Sequence, residues 1–310
     1  MSTIRFFIIG APKCGTTTLY DWLGDHQAIH APLKEACFFS QDVYPTADLR
    51  THISTLDDYL AIYRPPSPKI KATGEATPKY LYSDAALASI QNLWPDARII
   101  VCLRDPVDMI VSYYNQKLRE GVEAAPNFEE AWRRSPYSSL RSDEIGPPEI
   151  NGKINYVFWA HIGKRLEKWL AAFPREQFLI ILMQDLKVAP REIYQKLLNF
   201  IAVPDDGRTD FKASNESRRV ANVAFHRFVR NLKAAAVPIT LPLHQLRGGR
   251  GLGVLKLIDS LNMEPGAYTS AASIDLRAEM YQRLADDISA AERFLFGRAL
   301  VSVKAKQASR

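Results

Sequence analysis

Residues 6–23 read FFIIGAPKCGTTTLYDWL: an apolar run, then a loop bounded by glycines, then a segment with helical spacing. No other stretch constrains the fold as strongly. A strand that ends in a Gly-rich loop and restarts as a helix builds a concave row of backbone N–H groups, which suits a phosphate. The ATP-type loop is written G-x-x-x-x-G-K-[ST], with lysine directly after the second glycine. Here Gly10 and Gly15 hold the glycine places, Thr16, Thr17 and Thr18 follow, and the lysine lies inside the loop as Lys13, between Ala11-Pro12 and Cys14. Either the stretch is a Gly-rich turn that packs helix on strand, or it is a phosphate loop built for a donor other than ATP.

The remainder of the chain alternates in type. Strands are predicted over 4–9, 70–75, 97–104 (ARIIVCLR) and 176–183 (EQFLIILM), the last two being near-continuous apolar runs of the kind buried parallel strands show. Helices are predicted over 16–25, 83–94 with Ser83 as N-cap, 105–119, 127–134, 155–173, 190–201 opened by its proline, and 273–295. Such alternation gives an α/β fold of three layers, a central parallel sheet flanked by helices. No repeat or long linker divides the chain, so one domain is expected over 1–310, with irregular insertions near 135–153 and 204–272. The first insertion, rich in Ser, Pro and Gly, has the makings of an acceptor-binding lid.

Composition narrows the setting. The chain has 310 residues and a net charge of +6, with its basic residues scattered along it, which suits an anionic ligand or an ordinary solvated surface equally. Its short apolar N-terminal run leads straight into the glycine loop, so it reads as a first strand rather than a signal peptide, and no apolar run is long enough for a membrane span. A cytoplasmic location is expected. Cys14, Cys37 and Cys102 have neither metal-ligand spacing nor an even count, and fit reduced core or loop residues.

Two further constellations carry chemistry. RDPVDMIVSYYNQ places Arg104 at the end of a buried strand and Ser112 in the helix behind it, at the sheet edge where α/β folds bind ligands. An arginine there can grip a phosphate bidentately, although a surface pair with Asp105 or Asp108 is the competing use. LKEACFF sets Glu35 before the aromatic pair Phe38–Phe39, and a carboxylate beside aromatics can serve as a general base. A capping or surface glutamate is the plainer use of the same residue. Tyr113, Tyr114, Trp132 and Trp159 could stack on a sugar or fill the core.

Taken in order, APKCGTTTLYDWL, KEACFF, GEATPKYLY and IIVCLRDPVDMIVSYY resemble the sulfotransferases that use 3′-phosphoadenosine 5′-phosphosulfate (PAPS), nearest the heparan sulfate N- and O-sulfotransferases and their soluble bacterial relatives. A weaker match runs through LEKWLAAFP and QDLKVAPREIYQKLLNFI. The resemblance implies a P-loop-type fold and the transfer of a sulfuryl group to a hydroxyl or amine, with release of 3′-phosphoadenosine 5′-phosphate (PAP). It implies that Gly10 to Thr18 hold the 5′-phosphosulfate, with Lys13 at the bridging oxygen, and that Arg104 and Ser112 hold the 3′-phosphate. Glu35 aligns with the carboxylate base of the glycan-acting branch. Cytosolic relatives use histidine, which makes His30 the second candidate. The implied acceptor is a glycan, a glycolipid or another small molecule; no metal, nucleic acid or membrane span is called for, and no motif demands or excludes a homodimer.

Departures from the family pattern are specific. Ala76 stands where the heparan enzymes carry lysine, with Lys79 three residues on, and Thr17 stands where some relatives place arginine. For the late Lys-Gly-Arg nucleotide loop, the candidates are RGGRG (247–251) and NESRR (215–219). Two other classes share part of the pattern. A P-loop kinase needs lysine after Gly15, where this chain has Thr16. A non-catalytic nucleotide- or glycan-binding protein would have no use for Glu35.

Overall fold

The apolar run at the N-terminus becomes β1 (Phe6–Gly10), every residue of which is buried. The structure, a computed structural model, describes residues 4–43, 53–135, 147–150, 153–211, 218–220, 263–265, 271–295 and 298–301. After β1 come α1 (Thr16–Gly24), β2 (Ile29–His30), α2 (Leu56–Ile62), β3 (Ala72–Ala76), a 3₁₀ turn (Pro78–Tyr82), α3 (Asp84–Leu93), β4 (Arg98–Leu103), α4 (Pro106–Arg119) and α5 (Phe128–Arg134). A short hairpin of β5 (Glu149–Ile150) and β6 (Lys153–Ile154) leads to α6 (Tyr156–Ala160) and α7 (Gly163–Ala172). Then follow β7 (Phe178–Leu182), α8 (Met183–Val188), α9 (Pro190–Phe200), β8 (Arg218–Val220), β9 (Met263–Pro265), α10 (Ile274–Arg283) and α11 (Ala285–Glu292).

The central sheet has five strands in the order β2-β3-β1-β4-β7, all parallel. Parallel strands buried on both faces need apolar residues throughout, which is why β4 and β7 read as unbroken runs. From β1 the chain moves toward β2 and β3, whereas from β4 it moves toward β7. The reversal falls between β1 and β4, and the crevice beyond the carboxyl ends of those strands is where open α/β sheets bind ligands. Both the glycine loop and Arg104 open into it. This is the three-layer fold expected from the alternation of elements.

Capping chemistry sets most helix starts. Ser83 accepts from the amide of Ala86 at the head of α3, and Asp105 accepts from Val107 and Asp108 at the head of α4. Two predicted helices are in fact pairs. The segment 155–173 divides into α6 and α7 because the buried Asp287 carboxylate takes the amides of Ile162, Gly163 and Lys164, giving α7 an N-terminus of its own. The segment 273–295 divides at Leu284 into α10 and α11. The strand expected over 70–75 lies at Ala72–Ala76, and β2, α2 and α8 carry no signal strong enough to have been read from sequence. RGGRG (247–251) lies outside the described residues, as does NESRR (215–219) apart from the backbone of Arg218 and Arg219. No helix among the described residues is long and apolar enough to cross a membrane.

Tyr113, Tyr114, Trp132 and Trp159 are all buried, with Trp159 against Tyr82 and Tyr113, so they fill the core. A carboxyl group is enclosed in the sheet as well. Glu75, in β3, is fully enclosed, and burial pushes its carboxyl up to about 7 despite hydrogen bonds from Thr77 and Tyr59 and the nearby Tyr80 hydroxyl, which oppose the rise. The folded chain therefore keeps a proton there that the unfolded chain gives up near 4.5. The associated stability is present in full below about 4.5 and is gone once pH passes about 7. Compared with Glu75→Gln, which has nothing to titrate, the wild-type protein is expected to lose melting temperature as pH rises from 5 to 8; parallel thermal melts of the two proteins, with no widening gap, would contradict this.

Candidate active site at the carboxyl edge of the sheet

Gly10 is the last residue of β1 and has φ +154; a Cβ on it would stand 2.3 Å from the carbonyl oxygen of Cys102 on β4. The bare backbone lets the loop cross β4 closely enough for the Ala11 amide to donate to that same carbonyl (3.2 Å). At the other end Gly15 has φ +89 and faces Leu186 and Met183 of α8, so a Cβ there would stand 2.6 Å and 2.8 Å from their side chains. Between the two glycines the chain turns through Pro12, Lys13 (φ 63) and Cys14, and α1 starts at Thr16. Gly15 provides no side-chain cap for α1, so the first-turn amides of a nine-residue helix face the crevice with the positive end of its dipole.

Lys13 is held as an electrostatically strained cation. Burial, the positive charges of Arg119, Arg104 and Lys34, and only partial relief from Glu120 set its ammonium below the ordinary lysine range. Such a group gains from any anion that enters. Arg104 leans the same way: its Nη1 donates to the Lys13 carbonyl (3.5 Å). The competing acidic residues are engaged elsewhere. Asp105 accepts from Tyr281 (2.8 Å) and Asp108 pairs with Arg277 (2.8 Å), both partners lying on α10. Cys14 is fully buried, and burial pushes its thiol up to about 12, so it packs and does not attack.

Glu35 reaches the site from the loop after β2. It has φ 56, an uncommon conformation for a residue with a side chain, and its amide donates to Ala76 at the end of β3 (2.8 Å). Lys34 joins the two halves of the crevice: its ammonium donates to Thr17 Oγ1 in α1 (2.6 Å) and to Glu35 Oε1 (3.2 Å). The phosphate loop, the carboxylate and Arg104 thus form one connected group. Ser112 lies half-buried on α4, two turns in from its Asp105 cap. His30, at the end of β2, sets its Nε2 against the carbonyl oxygen of Ile62 (3.3 Å).

Several groups at this edge were not singled out from sequence. Lys34 stands beside Glu35 in KEACFF, and nothing in the motif says that its ammonium bridges to Thr17. Glu120 caps the far end of α4 and accepts from Lys117 and Gln116, both at 2.7 Å. Burial opposes its ionisation, but Lys117, Gln116 and Lys79 outweigh that and hold it below the usual carboxylate range. Lys79 therefore acts on this side of the molecule, whereas Ala76 is buried at the end of β3. A cavity of about 150 Å³ lies beyond the ends of β4 and β7, lined by Arg104, Asp108, Met183, Gln184 and Lys187 among others. Its residues come from segments far apart in the chain. A loop with convergent N–H groups and a lysine, a second cation on the neighbouring strand and a carboxylate at the rim can hold a doubly anionic ligand and take a proton beside it.

A family model for the sulfotransferase domain matches residues 3–228 of the chain. The chain is 28% identical over 209 residues to human bifunctional heparan sulfate N-deacetylase/N-sulfotransferase 3, which spans 64% of this chain and 22% of the relative. It is also 28% identical over 199 residues to mouse heparan sulfate glucosamine 3-O-sulfotransferase 3B1, spanning 63% of this chain and 45% of that one. It thus covers less than half the length of either relative. Among solved structures, a sulfotransferase from Alicyclobacillus acidocaldarius superposes with a TM-score of 0.58 at 25% identity, over 83% of this chain and all of the other.

The loop geometry generates a direct test. Because a methyl at position 10 would collide with β4 backbone, which cannot rotate away, Gly10→Ala is expected to destabilise the protein by about 2 kcal/mol or more in denaturant unfolding. A loss within about 0.5 kcal/mol, the level of a neutral surface change, would mean that the close crossing of β1 and β4 is not required.

Proposed function

The chain belongs to the sulfotransferase family, and we propose that it moves the sulfuryl group of PAPS to a hydroxyl or amine of a carbohydrate or glycolipid, releasing PAP. The observation that carries the donor assignment is the pairing of two cationic anion-binding points on neighbouring strands, the Lys13 loop after β1 and Arg104 after β4. PAPS has two anionic ends, a 5′-phosphosulfate and a 3′-phosphate, and an ATP-type γ-phosphate is absent from it. That is the sense of a lysine placed inside the loop rather than after Gly15. In this reading Gly10 to Thr18 enclose the phosphosulfate, and Arg104 with Ser112 takes the 3′-phosphate.

The transfer needs three things of the protein. An acceptor oxygen or nitrogen attacks sulfur in line with the bond from sulfur to the 5′-phosphate oxygen; the new S–O or S–N bond forms as that bond breaks, and the electron pair leaves on PAP. Negative charge growing on the departing oxygen is met by Lys13 and the amides at the head of α1, which are already in place and need no rearrangement. The acceptor's proton goes to Glu35, the carboxylate at the same rim; His30 is the alternative base. Lys34, bridging Thr17 and Glu35, sits between the leaving side and the accepting side. The glycan choice rests on the named activities of the curated relatives, heparan sulfate N- and 3-O-sulfotransferases.

Calorimetric titration with PAP in EDTA, with ADP as control, tests the donor site. PAP is expected to bind in the micromolar range and far more tightly than ADP, and Lys13→Ala or Arg104→Ala to weaken it by roughly 10- to 100-fold, the worth of a hydrogen bond to a charged group. Equal affinities for the two nucleotides, or variants that bind like wild type, would refute the two-site assignment. For the chemistry, radiolabelled transfer from PAPS to desulfated heparan oligosaccharides is the first assay. Glu35→Gln is expected to cut turnover by about 10²- to 10⁴-fold with PAP affinity intact. Full turnover by that variant would move the base role to His30, with His30→Ala as the next measurement.

A further inference from the structure

Glu75 has no part in the transfer, yet it is the most enclosed carboxylate near it, and burying a carboxylate is costly unless it is well supplied with donors. Its surroundings are unusual. Tyr59 of α2 donates its hydroxyl to Oε2 and Thr77 donates Oγ1 to Oε1 (2.5 Å), while the buried Tyr80 hydroxyl lies near enough to favour the ionised carboxylate. Glu75 in turn acts on Tyr63, just past α2, where burial and the Glu75 charge push the hydroxyl upward. Two of these hydroxyls have a second use. Thr77 Oγ1 accepts from the Cys37 amide and the Tyr80 hydroxyl accepts from the Phe39 amide, each at 3.4 Å.

A hydroxyl free to rotate can accept from an amide in many orientations. Once its own proton is committed to a carboxylate, its lone pairs point one way only. The amides they meet belong to the loop that carries Glu35, and that loop needs holding. Glu35 and Cys37 both adopt left-handed backbone (φ 56 and φ 53), conformations that persist for such residues only where the surroundings enforce them. Packing adds to the restraint: Phe38 stacks on Tyr59 at 4.9 Å, and Phe39 meets the same ring edge-on at 5.0 Å.

We propose that Glu75 is a positioning residue: through the hydroxyl of Thr77, with Tyr80 beside it, its carboxyl group fixes the backbone of residues 35–39 and thereby the place of Glu35 at the crevice. The functional consequence rests on Glu35 being the base, but the structural linkage can be measured without any acceptor. Cys37 lies inside the held segment and is partly exposed, whereas Cys14 and Cys102 are buried in the core, so alkylation by iodoacetamide reports the loop against two internal controls.

Native-state labelling followed by mass spectrometry should be run on wild type, Glu75→Gln, Thr77→Val and Thr77→Ser, with PAP titration of each. Glu75→Gln and Thr77→Val are expected to raise the Cys37 rate by about tenfold or more, as loss of a buried hydrogen bond shifts local opening. Thr77→Ser, which keeps the hydroxyl, should label like wild type. Cys14 and Cys102 rates and PAP affinity should stay within about twofold in all four, since the core and donor loop are not part of the linkage. An unchanged Cys37 rate in both disrupting variants, Thr77→Ser behaving like Thr77→Val, or all three cysteines accelerating together would each overturn the proposal. If Glu75→Gln does not fold, the Thr77 pair decides alone. Failure of the wild type to bind PAP would count against the donor reading and leave the labelling result standing.

Discussion

Everything at this site depends on how closely two parallel strands can pass at their carboxyl ends. Gly10 of β1 lies where a single methyl would intrude on the Cys102 carbonyl, and the Ala11 amide bonds to that carbonyl as the loop departs. Backbone in contact with backbone leaves no slack. The loop must turn at once, and Lys13 is forced into left-handed conformation inside it. Because Arg104 directly follows β4, two residues beyond Cys102, the register of β1 on β4 also fixes the spacing of the two cationic points. A wider separation of the strands would move both.

The electrostatics follow from that crowding. Arg119, Arg104 and Lys34 all act on the partly buried Lys13, and Glu120 offsets them there only in part. A ligand-free site of this kind stores unfavourable repulsion, which an anion relieves on binding. The acidic residues nearest Arg104 are prevented from neutralising it by geometry: Asp105 is spent on capping α4 and on Tyr281, and Asp108 on Arg277. Helix α10 is thus more than a cover for the core. It draws the negative charge of Asp105 and Asp108 away from Arg104.

How much of this could be read from the sequence depends on the range of the interaction. The five-residue strand, glycine loop and helix from Phe6 to Gly24 are set by neighbours in the chain, so the motif located them closely. The apolar runs located β4 and β7 for the same reason. Longer-range effects were not legible. Nothing local in 155–173 announces that Asp287, more than a hundred residues later, would cap a new helix at Gly163. The two-residue strand β2 is too short for any periodicity, and only its pairing with β3 makes it a strand. At the site, Lys13, Arg104 and Glu35 stood out through motifs. Lys34 bridging to Thr17, Glu120 capping α4, and the cavity shared by Met183 and Arg104 arise from tertiary placement alone.

Glu75 illustrates what the fold gives up for order at the rim. In the middle of a core strand an aliphatic side chain would be the stabilising choice, and a buried carboxylate among tyrosines is expensive. What the carboxylate supplies instead is direction: it commits the protons of the Tyr59 and Thr77 hydroxyls, and Thr77, with Tyr80 beside it, accepts from the backbone of a loop whose conformation is otherwise unfavourable. Apolar packing of Phe38 and Phe39 on Tyr59 could hold that loop in place, but it is non-directional and tolerates sliding. Holding a side chain in one orientation, as the proposed base role of Glu35 requires, demands angular control, and hydrogen bonds provide it. On the reading proposed above, the stability cost at Glu75 is the cost of keeping the Glu35 carboxylate aimed.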